Sequence, residues 1–305
     1  MTDPAIPAAT LVVIRDRANA PPELLVVERS ARMAFAAGAI VFPGGRIDEA
    51  DRELGGDRAR RRAMTDPAIP AATLVVIRDR SGKPPELLVV ERSAKMSFAA
   101  GAIVFPGGRI DEADRALSAN HAAKITAIRE TLEESAVAVG LGALDAADGP
   151  ALQAALLGGE PFAGLVERLG LSLDLAALIP FARWKPAFAH ARIFDTMFYL
   201  ARAPAGEWQP IPQPGECAAA EWASAAELLA RIERGDASAI FPTKRNLERL
   251  AGFASFDAAA ADAARWPVET ITPFVEVRGG IEMVCIPRGL GYPVTSEPLA
   301  TAFRA

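Results

Sequence analysis

Apolar and polar positions follow two different periods along this chain. Ala72-Thr73-Leu74-Val75-Val76-Ile77-Arg78-Asp79 is a β-branched apolar run closed by charges, the pattern of a buried strand. Residues 80–85 read as a turn, 86–92 as a second strand, 93–101 as a loop and 102–105 as a third strand. From about His121 to Ala136 the period becomes helical, with Ile125, Ile128 and Leu132 along one side. Residues 111–120 read as a loop, with Ser118 or Asn120 to cap that helix. Ala- and Leu-rich pieces at 151–157 and 162–169 predict short helices within an insertion at about 142–178. Strand signals return at 178–184, 193–200 and 221–222. Ser224-Ala225-Ala226-Glu227 is a capping box opening a helix over 225–234, and Pro242 to Asn246 starts another. The stretch 270–287 is strand-like and broken by prolines.

The helix at 121–136 carries the chemistry. Glu130, Glu133 and Glu134 stand at i, i+3 and i+4, within about 100° of arc and opposite the apolar stripe. Three like charges on one face repel, and only Arg129 is close enough to offset them. A cation over that face relieves the repulsion, and carboxylate oxygens select hard ions such as Mg²⁺ or Mn²⁺. On spacing alone, an acidic solvated surface is the commoner explanation.

The preceding segment shifts the balance. Phe105-Pro106-Gly107-Gly108-Arg109-Ile110-Asp111-Glu112-Ala113-Asp114 is a strand end running into a Gly-rich turn. Paired glycines permit positive φ and close backbone approach to a ligand, and such a turn before an acidic helix can hold phosphate near a metal. With Arg129-Glu130-Thr131-Leu132-Glu133-Glu134-Ser135-Ala136-Val137, this order resembles the signature of the Nudix hydrolases, G-x5-E-x7-R-E-U-x-E-E-x-G-U, where U is apolar. Asp114 stands where the first Glu belongs, 14 residues instead of seven separate it from Arg129, Thr131 occupies an apolar position, and Ala136 replaces the late Gly.

The resemblance implies an α/β fold, a Nudix-type α/β/α sandwich with a mixed β-sheet, here with a helical insertion. It implies a diphosphatase acting on a nucleoside diphosphate derivative, with Glu130, Glu133 and Glu134 holding Mg²⁺ or Mn²⁺. One of these carboxylates would serve as base, Arg129 would orient Glu133, and Gly107 and Gly108 would shape the turn by the phosphates. Glu216 and Glu221 are further candidates for a ligand or base, and His190 is more readily structural.

A second resemblance points to substrate. Coenzyme A diphosphatases of this family carry L-L-T-x-R-S-x3-R-x3-G-x3-F-P-G-G. Arg92-Ser93, Gly101 and Phe105-Pro106-Gly107-Gly108 match at that spacing, whereas Ser97 replaces the second Arg and Val90 the Thr. Arg92 is then the residue that meets a phosphate, and CoA or acyl-CoA the expected substrate. Arg192-x-Phe194-Asp195-Thr196-x-Phe198 resembles the branch with peroxisomal CoA and acyl-CoA diphosphatases and a long box insertion. Other nucleotide derivatives, such as a nucleotide sugar or dinucleotide, and a non-catalytic binding protein of the same fold are the competing readings.

The chain also repeats itself. Residues 1–54 recur as 64–117 with six differences: Ala18/Ser81, Asn19/Gly82, Ala20/Lys83, Arg32/Lys95, Ala34/Ser97 and Glu53/Ala116. Copy one has its own Phe42-Pro43-Gly44-Gly45 turn but stops before the acidic helix, so it cannot build the site alone. Met64 therefore reads as the ancestral start. Residues 1–63 read as a redundant partial duplication or an assembly artefact, and 64–305 as the hydrolase domain. Only one copy can occupy the native place, and the shorter connection to the helix favours copy two. Copy one would be loosely packed, added to a sheet edge or swapped into another chain, which makes a homodimer admissible.

Composition adds exclusions. At 305 residues, with 51% hydrophobic and 23% charged, the chain can bury a sizeable core. A net charge of −5 gives no footprint for nucleic acid. Two cysteines and two histidines offer neither a disulfide framework nor a His-based zinc site. The apolar run at 9–14 is too short for a membrane span, and Phe303-Arg304-Ala305 is not a peroxisomal address. A cytoplasmic protein with a small-molecule partner is expected, without nucleic acid or membrane.

Overall fold

In the computed structural model, the apolar run at 72–77 is the middle of a 12-residue strand, β1 (Ile69–Arg80). Successive side chains of a strand point to opposite faces, so β1 serves two cores. Ala72, Leu74 and Val76 join one apolar cluster, and Val75 and Ile77 join the other. The structure describes residues 68–96, 99–142, 144–186 and 193–302, and before them short strands at 8–10, 14–17, 20–24, 27–28, 40–41 and 44–46.

After β1 come β2 (Lys83–Arg92), β3 (Ile103–Val104) and β4 (Gly107–Arg109). Helices α1 (Glu112–Leu117), α2 (Ala122–Ser135), α3 (Gly149–Leu157) and α4 (Phe162–Arg168) follow. Then come β5 (Ile179–Trp184), β6 (Phe194–Arg202) and β7 (Cys217–Ser224). Helices α5 (Ala225–Arg234), α6 (Phe241–Leu250) and α7 (Phe256–Ala263) lead to β8 (Thr270–Ile271). The strands form one mixed sheet in the order β7-β2-β1-β6-β5-β8. Within it β1 runs parallel to β6 and antiparallel to β2, and β4 pairs with the start of β1.

The α/β/α sandwich is present. Ile125, Ile128 and Leu132 of α2 pack on the Leu74 face, together with Leu152 and Leu156 of α3 and Phe162 and Leu165 of α4. Leu228 of α5, Leu247 and Leu250 of α6 and Phe256 of α7 pack on the Val75 face. A separate three-stranded antiparallel sheet closes the unit, built of β9 (Phe274–Arg278), β10 (Ile281–Cys285) and β11 (Ser296–Pro298). Among the described residues, no helix is long and apolar enough to cross a membrane.

Three sequence expectations need correction. The loop at 111–120 contains α1, because Asp111 and Asp114 make a capping box that nucleates a short helix. Neither Ser118 nor Asn120 caps α2. His121 is the N-cap residue, and the Ser118 hydroxyl is spent on its imidazole Nδ1 at 3.1 Å. The turn read at 80–85 is confined to Ser81-Gly82, because β1 runs to Arg80 and β2 starts at Lys83, with Arg80 opposite Lys83.

The chain divides into two compact units, Met1–Asp66 and Pro67–Ala305. In the first, the described strands pair with one another in the registers of copy two. Ala8 opposes Arg46 as Ala71 opposes Arg109, Ile14 opposes Leu24 as Ile77 opposes Leu87, and Val27 opposes Val41 as Val90 opposes Val104. Near-identical sequence thus dictates the same local pairing twice.

Candidate active site

The site is built where β4 passes beside α2. Ile125, Ile128 and Leu132 hold the helix on the sheet, fixing which side chains face away. Thr131 is fully buried at an apolar position and satisfies its hydroxyl on the Ala127 carbonyl at 2.6 Å. The helix stops at Ala136, whose φ of 58° is left-handed and whose N–H donates to the Leu132 carbonyl. This is the conformation for which the family pattern carries Gly.

Both glycines of the turn are required by close approach. Gly107 donates its backbone N–H to Oε2 of Glu134 at 3.0 Å. A side chain on Gly107 would run into the Ala72 carbonyl and Thr73, and one on Gly108 would overlap the Glu130 carboxylate. Neither glycine takes a positive φ, so of the two roles expected from sequence only close packing is realised, and against protein.

Arg129 organises the acidic face. Its Nη1 donates to Glu130 Oε1 at 2.9 Å and to Glu133 Oε2 at 3.0 Å. Its Nε and Nη2 reach the two oxygens of Asp114 at 3.0 and 2.8 Å. Asp114 has no solvent exposure and also accepts from the Thr126 hydroxyl at 2.7 Å and the Asp111 N–H at 3.2 Å. Burial opposes its ionisation, but Arg129 and Thr126 outweigh that and hold its carboxyl below the ordinary range. The orientation of Glu133 by Arg129 was legible from sequence. The grip of Asp114 on the same guanidinium, across the box insertion, was not.

The glutamates are driven the other way. Burial pushes Glu130 up to about 7, with Arg129 opposing, and Glu134 up to about 8, where the Glu130 charge adds to the effect. Glu133 is also raised, chiefly by burial. These shifts mark carboxylates taken out of water without enough positive charge beside them.

Two further residues border the cluster. Arg92 ends β2, and its charge acts favourably on Glu134. Its backbone closes a hairpin with Gly101 and Ala102, at 3.0 Å in each direction, and Gly101 has φ 69°. That closure explains the Arg92-to-Gly101 spacing. Glu216 lies where its charge raises both Glu133 and Glu134, and its carbonyl accepts from Ser93 N–H at 2.7 Å. Glu221 is drawn off by Arg231 at 2.6 Å, and Asp195 is held bidentately by Arg183, so neither joins the cluster. Ser97, His190 and Arg192 lie outside the described residues. Gln153, which no motif flagged, reaches from α3 to the carbonyls of Glu133 and Ile211, each at 2.9 Å.

The donor set suits a hard divalent cation: oxygen ligands only, clustered and short of positive charge. Among the described residues, however, no three candidate ligands stand together in a coordinating arrangement. Glu130 and Glu133 are turned onto Arg129, so a metal shell is not preassembled.

No family model matches the sequence. The chain is 28% identical over 298 residues to the acyl-coenzyme A diphosphatase NUDT19 of Gallus gallus, covering 86% of this chain and 72% of that one. An uncharacterised Nudix hydrolase, NudL of Citrobacter koseri, is 41% identical over 70 residues, 23% of this chain and 35% of its own. The crystal structure of a Nudix hydrolase from Alicyclobacillus acidocaldarius matches with a TM-score of 0.57 and 31% identity, over 65% of this chain and 97% of that one. The chain belongs to the Nudix hydrolases, enzymes that cleave diphosphate linkages.

Proposed function

We propose that this enzyme hydrolyses the diphosphate of CoA or acyl-CoA, giving 3′,5′-ADP and the corresponding phosphopantetheine. The observation that carries the reading is the pair of buried Glu134 and half-buried Glu130, with the Gly107 N–H on Glu134 and Arg129 on Glu130, both carboxyls raised. Such a pair suits a hard cation beside a phosphate. Glu130, Glu133 and Glu134 would hold Mg²⁺ or Mn²⁺, which when bound would neutralise the diphosphate and acidify the attacking water. Arg129 is a positioning residue, held by Asp114 and holding Glu130 and Glu133. Arg92, at the rim beside Glu134, meets a phosphate oxygen, and Gly107 and Gly108 let the turn pass close to the carboxylates. One of the three glutamates takes the proton of the attacking water, whose oxygen joins one phosphorus as the bridging P–O bond breaks.

The CoA assignment rests on the Arg92-Ser93…Gly101…Phe105-Pro106-Gly107-Gly108 spacing and on the name of the NUDT19 relative. A cytoplasmic location belongs to the same reading. The test is hydrolysis with Mg²⁺ and Mn²⁺ on CoA, acetyl-CoA, NADH, ADP-ribose and nucleotide sugars, with Glu134→Gln as control. Release of 3′,5′-ADP from the CoA compounds alone supports the proposal. Turnover of another member keeps the chemistry and removes Arg92 and Gly101 as CoA determinants. Silence across the panel favours a binding protein.

A further inference from the structure

The terminal sheet carries an apolar edge that the hydrolase reading does not use. Among the described residues β9 pairs with β10 alone, and all five of its residues are exposed. Phe274 and Val275 are each 46% exposed, Val277 is 64% exposed, and Ile281 at the start of β10 is 57% exposed. A strand edge with this composition recruits another strand unless something blunts it. Proline, a bulge and lysine are missing from β9, and its two charges, Glu276 and Arg278, are of opposite sign and bonded to each other.

We propose that β9 is the docking edge for a second copy of this chain, paired antiparallel about a two-fold axis at Val277. The hairpin fixes which groups face outward. Gly279 and Gly280 have φ of 57° and 83°, the signature of a two-residue type I′ turn closed by the pair Arg278–Ile281. In such a hairpin the closing pair and every second residue bond inward. Arg278, Glu276 and Phe274 therefore bond to β10, while Val277 and Val275 turn their N–H and C=O groups to the free edge.

Charge then selects one register for a self-pair. Three alignments match the outward groups of β9 with themselves, and the one centred on Val275 sets Val277 against the partner's Pro273, which has no N–H to give, and leaves Glu276 opposite the partner's Phe274. Centring on Glu276 sets Glu276 against the partner's Glu276, a like-charge pair in direct opposition. Centring on Val277 sets Glu276 against the partner's Arg278 twice over, with the two Val277 side chains facing each other. These two charges already attract within one chain, Arg278 Nη2 lying 2.9 Å from Glu276 Oε2, so the same groups can exchange partners across the axis. A two-fold interface needs such a self-complementary patch.

The test is sedimentation of the full chain over a concentration series. A monomer–dimer equilibrium is expected. Glu276→Arg or Arg278→Glu should each weaken the dimer about tenfold, because both cross-strand pairs become like-charged. The double variant Glu276→Arg/Arg278→Glu should restore it. Val277→Pro should leave the monomer folded by circular dichroism, since the lost N–H faces outward, and should abolish the dimer. A wild-type chain that stays monomeric, a Val277→Pro chain that still dimerises, or a double variant no better than the single ones would each overturn the proposal.

Discussion

Asp114 grips the guanidinium of Arg129 with both carboxylate oxygens, at 3.0 and 2.8 Å, from the short helix α1. The shorter acid at this position therefore keeps a structural partner on α2. It does so because α1 brings Asp114 down to a site with no solvent exposure, where Thr126 takes one of its oxygens. Asp114→Asn would remove the charged acceptor of two guanidinium nitrogens and leave Arg129 only Glu130 and Glu133, a loss of about 1.5–3 kcal/mol for hydrogen bonds to a charged group. Urea unfolding should show a loss of that order. Turnover should fall as well, because Arg129 would no longer hold Glu130 and Glu133 in place.

Gly108→Ala tests the turn in the opposite way. The added methyl would meet the Glu130 carboxylate and displace the acid without disturbing the buried face of α2. The expected outcome is a thermal midpoint within a few degrees of wild type and a loss of hydrolysis of on the order of 10²-fold, the low end of what one positioned acid–base group contributes. Retained turnover would mean that Glu130 can work from another rotamer.

Period and punctuation made much of this architecture legible. The alternation through Leu74, Val75, Val76 and Ile77 sorts cleanly into two cores, and Ile125, Ile128 and Leu132 define the buried side of α2. The Ser224 capping box opens α5 as the sequence suggests. What the sequence withheld depends on contacts distant along the chain. Asp114 with Arg129 spans 15 residues, and Gln153 with Ile211 spans 58. Nothing local marks Glu216 as facing the cluster and Glu221 as lost to Arg231. The Gly pair reads from sequence as a close approach to a ligand, whereas the approach in the structure is to Ala72, Thr73 and Glu130, set by the pairing of β4 with β1.

Glu134→Gln separates the charge from the shape. The amide oxygen can still accept from the Gly107 N–H at the Oε2 position, so the turn keeps its anchor. Hydrolysis should fall on the order of 10²-fold or more, since a carboxylate of the site is lost. Stability without metal at pH 8.5 should stay equal or rise, because a buried charge that costs the fold has gone. A large drop in the thermal midpoint would show that Glu134 is held by attractive charge that the folded site supplies.

The raised glutamates also set a pH dependence with a definite sign. In the unfolded chain these carboxyls lose their protons near 4.5, whereas in the fold Glu130 keeps its proton to about 7 and Glu134 to about 8. Between those limits the folded state binds more protons, so stability falls as pH rises. Asp114 works oppositely. Its stabilisation is lost as pH falls below its ordinary value of 3.8, which bounds the acid side. Metal-free protein should therefore melt higher at pH 6 than at pH 8.5. Glu248, also raised to about 7 by burial, adds to this slope from outside the site. Saturating Mg²⁺ should remove the part due to Glu130 and Glu134 and leave the part due to Glu248. An unchanged slope with Mg²⁺ would place the ion elsewhere.

Residues 1–63 give the last prediction. Among the described residues, the buried clusters on both faces of the sheet are built from residues 72 onward. Copy one repeats the strand registers of copy two but has no second acidic helix for its glycine turn to serve. We expect the chain from Met64 to Ala305 to be soluble, to unfold at the midpoint of the full chain within a few degrees, and to hydrolyse the same substrates at the same rate per site. The comparison is made by differential scanning calorimetry and by turnover on the same substrate panel. Complete loss of soluble or active protein on removing residues 1–63 would show that the duplicated strands have been recruited into the working fold, and that the repeat is a functional part of this hydrolase.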